Sequence, residues 1–92
     1  MKTKAFSVYD VKAKFYGKPV YQRNAAEAIR AFESECNAPE SQLCKYPQDF
    51  VLFEIGEYDD ETGILTSEAA HISLGSALQY TKTSPSLTNV SQ

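Results

Sequence analysis

The chain has 92 residues, of which 42% are hydrophobic and 23% charged, and its formal net charge is −3. This size and balance are typical of one small globular domain and exclude a wholly disordered chain. No apolar run is long enough to cross a membrane, and Asp10 and Lys12 interrupt the stretch that a signal peptide would need to be apolar. We therefore expect a cytoplasmic protein with no membrane partner.

The charges are distributed unevenly along the chain. Residues 1–30 hold seven Lys or Arg against two Asp or Glu, a balance of +5, and residues 31–92 hold two against ten, a balance of −8. The asymmetry fits a bipolar surface, a self-complementary contact between two subunits, or only a solvated surface with no partner. The negative total argues against a protein that coats nucleic acid by charge alone.

Strand character dominates the N-terminal segment. Residues 5–11 are rich in β-branched and aromatic side chains and partly alternate, which predicts a first strand with Phe6 and Val8 on one face. Residues 12–21 keep some of this character on both sides of a Gly-Lys-Pro break. Because Pro19 cannot donate a ladder hydrogen bond, they predict an edge strand or an extended arm.

An amphipathic helix is predicted over residues 24–36. Asn24 is a favourable N-cap, and Glu27 can reach back to its amide in a variant of the capping box. The apolar side chains that follow recur at spacings of three and four and form one stripe: Ala25, Ala28, Ile29, Phe32 and Cys36. Asn37 and the nearby Pro39 end the helix.

The sequence of residues 37–92 indicates four further segments along the chain. Residues 37–49 are a polar connection with two prolines. Residues 50–67 predict a β-hairpin whose first strand is apolar on both faces and whose turn has Gly63 for positive φ. Residues 72–80 fit either a strand or a short helix, and their apolar spacing favours a short helix starting near Ser73. Residues 81–92 are rich in Ser and Thr and predict a disordered tail.

These elements predict an α+β fold with a single domain at residues 1–80. A small antiparallel sheet contains residues 5–11, 50–58 and 63–67, extended by 15–21, and the helix covers one of its faces. The predicted core consists of Phe6, Val8, Ile29, Phe32, Val51, Phe53, Ile55 and Leu65. Because so small a core leaves a fold marginally stable, we also expect help from a partner subunit, as in a homodimer.

Few residues could carry catalysis or hold a metal. Cys36 and Cys44 are predicted to be free thiols, one or both of which pack as small apolar groups, since a zinc site needs four ligands and His71 is the only histidine. The carboxylates of residues 59–61 lack the alternating spacing of a calcium loop and are typical of a solvated turn. No glycine-rich phosphate loop is present. We therefore expect no enzymatic activity, no cofactor and no metal.

Aromatic and basic side chains are interleaved near the N-terminus. Rings at positions 9, 15, 16 and 21 alternate with cations between positions 12 and 23. Because rings stack on unpaired bases while cations hold phosphates, the pattern is typical of a surface for single-stranded nucleic acid. The predicted contact residues are Lys12, Lys14, Tyr16, Lys18 and Arg23. In the alternative, rings of this segment belong to the core and the lysines only protect an edge strand from aggregation.

Several segments resemble one known family. They are residues 6–13, 28–32 and 46–59, followed by Thr62-Gly63 and residues 72–75. Together they resemble the small nonstructural protein of gokushovirus-type microviruses, which are single-stranded DNA bacteriophages. The resemblance covers residues 4–78 and is most specific at 46–59. There the family's usual proline–acid pair is interrupted by Gln48.

The resemblance implies a protein made during infection that acts in the bacterial host cytoplasm and is not part of the virion. It implies DNA binding, or a role in the switch from duplex replication to single-strand synthesis and packaging, and it brings no catalytic residues. Together with the basic and aromatic segment, it favours direct binding of single-stranded DNA. The alternative is an acidic adaptor that acts on a replication initiator, a host factor or a procapsid without contacting DNA. A toxin or modifier of a host enzyme is a third class that no residue excludes.

Overall fold

A computed structural model describes residues 1–81 of the chain. Its five strands form one sheet: β1 (Lys2–Asp10), β2 (Phe15–Tyr16), β3 (Val20–Gln22), β4 (Phe50–Asp59) and β5 (Ile64–Ser76). Two helices, α1 (Ala25–Cys36) and α2 (Gln42–Lys45), and two short 3-10 turns (Pro47–Asp49 and Ala77–Gln79) complete it. In the described part, no helix is long and apolar enough to span a bilayer. The α+β prediction is confirmed.

All strand pairs are antiparallel, and the order across the sheet is β2-β1-β4-β5, with β3 also paired to β1. The arm, which we define as residues 11–22, therefore supplies two short strands along one edge of β1. Between these two strands, Gly17 is hydrogen-bonded to β1. The Ser7 hydroxyl donates to the Gly17 carbonyl at 2.7 Å, and the Gly17 amide donates to the Val8 carbonyl at 2.8 Å. The predicted edge strand is thus present, interrupted at 17–19.

Helix α1 begins and ends close to the predicted residues. The Asn24 side chain accepts a hydrogen bond from the Glu27 amide at 3.0 Å, which satisfies one of the free amides of the first turn. The predicted return contact is wrong in its partner, because the Glu27 carboxylate accepts from the amide of Arg23 rather than that of Asn24. At the other end, the Asn37 side-chain amide donates to the carbonyls of Glu33 and Tyr80.

The hydrophobic core lies between α1 and one face of the sheet. Its buried members are Phe6, Ala28, Phe32, Cys36, Leu52 and Ala77, with Val8 and Ile29 packed at the margin. The predicted core was wrong in three β4 residues, because strand alternation puts Leu52 under the helix and turns Val51, Phe53 and Ile55 to the opposite face. Leu65 was also wrong, since it is 59% exposed.

The segment after the hairpin differs from the prediction. β5 continues to Ser76, so the short helix expected near Ser73 is instead strand, followed by the 3-10 turn. The apolar spacing was misleading because Leu74 and Ala77 pack against the core from a strand and a turn respectively. The polar connection contains α2 and the other 3-10 turn. The predicted disordered tail lies, apart from Thr81, outside the described residues.

Candidate nucleic-acid interface

The sheet curls so strongly that its two edges meet across the face opposite α1, which we call the concave face. Tyr16 on β2 and His71 on β5 lie at opposite ends of the strand order. Three strand spacings in a flat sheet would separate them by about 14 Å. Instead their ring centroids are 5.2 Å apart, and the Tyr16 hydroxyl is 3.2 Å from His71 Nδ1.

A wide bulge in β5 brings His71 over the concave face. Ser67 pairs with Gly56 and Ile72 with Glu54, so residues 68–71 have a single counterpart on β4. Gly56 permits the close approach of the two strands here, since a Cβ at this position would lie 2.5 Å from the Thr66 carbonyl oxygen. A glycine inside a strand is typical of such a bulge or close backbone approach.

Aromatic rings fill one half of the concave face. Tyr16 lies 4.6 Å from Tyr9 and 5.8 Å from Phe53 between ring centroids, and His71 closes the group at 6.3 Å from Phe53. Tyr16, a predicted contact residue, is thus packed against three other rings, and it remains 42% exposed. Its main structural effect is to hold the arm onto the sheet.

A cleft of about 280 Å³ occupies the other half of the concave face. Pro19 and Tyr21 of the arm form one wall, and Leu65 and His71 of β5 contribute to the other. Tyr21 is 44% exposed, and its ring is 5.7 Å from that of Tyr58. The sequence shows no direct signal for this cleft, because the curl and the bulge bring its walls together.

Three of the predicted cations lie together on the arm. Lys12 and Lys14 are in the turn between β1 and β2, where the Asp10 carboxylate accepts from the amide of Lys12 at 3.0 Å. Lys18 lies between β2 and β3. All three side chains are exposed, and within residues 1–81 none of their ammonium groups forms a salt bridge. These lysines are the unpaired positive charge of the arm within the described part, although Lys12 shares a shallow depression with Asp10 and Asp49.

Arg23 has a different environment from the lysines. Its guanidinium donates two hydrogen bonds to Glu27, one of them from Nε at 3.0 Å. This contact lowers the pKa of the Glu27 carboxyl, mainly through the hydrogen bond with Arg23. The four-residue spacing is that of an ordinary helical ion pair, although Arg23 precedes the helix. Much of its charge is therefore compensated locally.

The basic N-terminal segment and the acidic hairpin are interleaved rather than segregated. Because β1 pairs with β4, Lys2 lies opposite Asp59, and the Lys4 ammonium is 3.5 Å from a Glu54 carboxylate oxygen. The terminal ammonium of Met1 is 2.7 Å from Asp60. Of the seven cations in residues 1–30, only those of the arm and Arg30 have no salt bridge among the described residues and no acid paired opposite them.

Acidic side chains surround the bulge. Glu54 is buried, and a hydrogen bond with it raises the pKa of Glu68. Glu57 and Glu68, together with Lys4, line a shallow depression that shares Thr66 and Ser67 with the cleft. Because Glu57 pairs with Lys4, whereas the cleft residue Leu65 pairs with Tyr58, these carboxylates lie beside β5 on the face of the sheet opposite to the cleft. In residues 1–81 no group of His, Cys, Asp and Glu side chains is arranged to hold a metal.

Cys36 is a core residue, and its position matches the predicted packing role. Burial raises the pKa of its thiol to about 11, so the side chain is protonated at neutral pH and is a poor nucleophile. Cys44 is half-buried and also free.

Comparison with known proteins gives the family. A family model described as Phage ORF5 protein matches residues 3–80, which is most of the chain and nearly all of its described part. No curated protein and no solved structure matches the chain. The match covers both the arm and the curled sheet, so the chain belongs to the phage ORF5 protein family.

Proposed function

We propose that this phage protein binds single-stranded DNA without catalysis, through its arm and concave face. The observation that carries the proposal is a set of three exposed lysines, with no salt bridge to any of residues 1–81, on the same short segment that presents Tyr16 and Tyr21. Cations beside accessible rings are the combination that holds unpaired nucleotides. Membership of a phage family agrees with a nucleic acid ligand that is abundant during infection.

In this proposal the acidic surface restricts where DNA can lie. The carboxylates of the hairpin turn at residues 59–61 repel phosphates, as do Glu57 and Glu68 on the opposite face of the sheet, where Lys4 offsets part of their charge. The strand therefore follows the arm, where Lys12, Lys14 and Lys18 face it. Three phosphate contacts give modest affinity, and a homodimer would double them and strengthen binding through avidity.

The cellular role that we propose is a contribution to the switch from duplex replication to single-strand synthesis and packaging, in the host cytoplasm. A non-catalytic protein can act there by holding the displaced strand away from its complement. The resemblance of residues 4–78 to the small nonstructural protein of gokushovirus-type microviruses supports this role. Phage replication or capsid proteins are the further partners that such a role implies.

The test is the affinity for a fluorescent oligothymidine at low salt, measured by anisotropy. The variant Lys12→Gln/Lys14→Gln/Lys18→Gln should bind at least tenfold more weakly than the wild type. Each phosphate contact releases a counterion from the DNA, and the variant loses this favourable contribution at three positions. The control Lys2→Gln/Arg30→Gln/Lys45→Gln has the same net charge and should bind much more tightly than the arm variant. Absence of wild-type binding would refute the proposal and favour the adaptor function. Equal losses in both variants would refute the assignment to the arm.

A further inference from the structure

We infer that the cleft between Tyr21 and His71 holds one unstacked nucleobase, with its phosphate on the Lys18 side. The inference rests on the proposed function and deepens it, because it names the part of the nucleotide that the concave face recognises. It requires a cavity of suitable chemistry, an accessible ring and a charge pattern that orients the nucleotide.

The chemistry of the cleft fits an uncharged planar ring. Ala5 and Ile55 of the sheet, with Pro19 and Leu65 of the walls, supply apolar surface. No lysine or arginine lines the cleft, so nothing in it would neutralise a phosphate. Its volume of about 280 Å³ is at the lower limit for small-ligand pockets, which suits a single ring system.

Polar groups at the cleft can meet the edge of a base. Thr66 and Ser67 line it from β5, and His71 Nδ1 is already engaged by the Tyr16 hydroxyl. The other nitrogen of the imidazole, Nε2, makes no hydrogen bond within residues 1–81. An apolar cavity with a few convergent polar groups is the usual form of a binding site for an amphipathic small ring.

Tyr21 is the ring best placed for stacking. Tyr16 packs against three rings, whereas Tyr21 has one neighbouring ring in the described part, that of Tyr58, and lines the cleft itself. It is 44% exposed, so a base can cover it without displacing a core side chain. Stacking on one aromatic ring is tolerant of base identity.

The charges around the cleft define how the nucleotide enters. Lys18 directly precedes Pro19 on the arm wall, and its ammonium group is free of salt bridges in the described part. Behind the β5 wall, Glu57, Glu68 and Lys4 line a depression that shares Thr66 and Ser67 with the cleft. Because the lysines without salt bridges in the described part lie on the arm side, the base enters from that side, and the backbone stays along the lysines.

The test compares an oligothymidine with an oligonucleotide of the same length and charge whose sugars lack bases. Wild-type protein should bind the first about five to 150 times more tightly, the range given by stacking of one base. Tyr21→Leu should remove most of this ratio and Tyr21→Phe should keep it. Phe15→Leu is the matched control, because Phe15 is an exposed ring on the arm that faces away from the cleft.

The outcomes separate this inference from the proposed function. Equal, salt-dependent binding of both oligonucleotides would overturn the base site and leave DNA binding by the arm intact. If neither oligonucleotide binds, the proposed function fails. A titration with thymidine, followed by amide chemical shifts, then tests whether the cleft binds a base. Shifts confined to the surroundings of Tyr21, Leu65 and His71 would support the base site, and their absence at millimolar thymidine would overturn it. Leu65→Trp, which fills the cleft from an exposed position, should abolish those shifts in a folded protein.

Discussion

The Tyr16 hydroxyl lies 3.2 Å from His71 Nδ1 and joins the two edges of the sheet across its concave face. This contact lies beside the cleft, which His71 also lines. The curl of the sheet, the packing of the arm and the shape of the candidate site are therefore linked through one polar contact between two partly exposed rings.

Removing that hydroxyl should loosen the arm. We expect Tyr16→Phe to lower the free energy of unfolding by about 0.5–1 kcal/mol, the usual range for one partly exposed hydrogen bond, in urea denaturation. Tyr46→Phe removes a hydroxyl that has no hydrogen bond within residues 1–81 and should change stability less. Equal stability of Tyr16→Phe and the wild type would show that the contact does not hold the arm.

Gly56 should be intolerant of a side chain. A Cβ at this position would lie 2.5 Å from the Thr66 carbonyl oxygen. Gly56 and Thr66 both belong to paired strands, so their backbone cannot easily move apart. We expect Gly56→Ala to cost about 1–3 kcal/mol of unfolding free energy through overpacking. At Gly63, a Cβ would meet nothing within 4 Å and only the positive φ of 74° opposes it, so Gly63→Ala should cost less than Gly56→Ala, about 1 kcal/mol. The reverse ranking would contradict the close approach of β4 and β5.

The buried thiol of Cys36 should make stability fall at alkaline pH. Its pKa is about 11 in the folded protein and near 9 when unfolded, so between these values only the folded state keeps the proton. The unfolded state binds fewer protons there, and the free energy of unfolding decreases as pH rises, by about 2 kcal/mol over the interval. Other groups titrate in the same range, so the measurement is the difference between wild type and Cys36→Ala. A difference that does not change with pH would contradict the burial of this thiol.

The Arg23–Glu27 pair should limit the part that Arg23 plays in binding. Replacing Glu27 with glutamine frees the guanidinium, so we expect tighter oligothymidine binding with a steeper salt dependence than the wild type. Glu33→Gln makes the same charge change on the outer face of α1 and should have a smaller effect. Identical gains in the two variants would show that only net charge matters and would remove Arg23 from the predicted contacts.

Local sequence signals predicted most of the fold. Asn24 and the apolar stripe of α1 act within one helix, and Gly63 acts within one turn, so each element could be recognised without the rest. The face of β4 that the helix covers could not be recognised, because residues 50–53 are apolar on both faces. The extension of β5 was also hidden, since the bulge at 68–71 breaks the alternation that identifies a strand.

The candidate site was predictable only in its local part. Lys12, Lys14 and Lys18 are close together in the sequence, so the arm keeps them together in any fold. The ion pair of Arg23 is consistent with its four-residue spacing from Glu27. The cleft required His71 and Tyr21, fifty residues apart in the sequence, to lie on opposite walls of one cavity. The curl of the sheet and the bulge in β5 produce that arrangement.

The most direct measurement for the central claim is the salt dependence of oligothymidine binding in the wild type and in Lys12→Gln/Lys14→Gln/Lys18→Gln. Three phosphate contacts predict a slope of about −2 in the logarithm of the association constant against the logarithm of salt concentration. The variant should have a slope near zero. A wild-type slope near zero, or an unchanged slope in the variant, would contradict the claim that the lysines of the arm hold the DNA backbone.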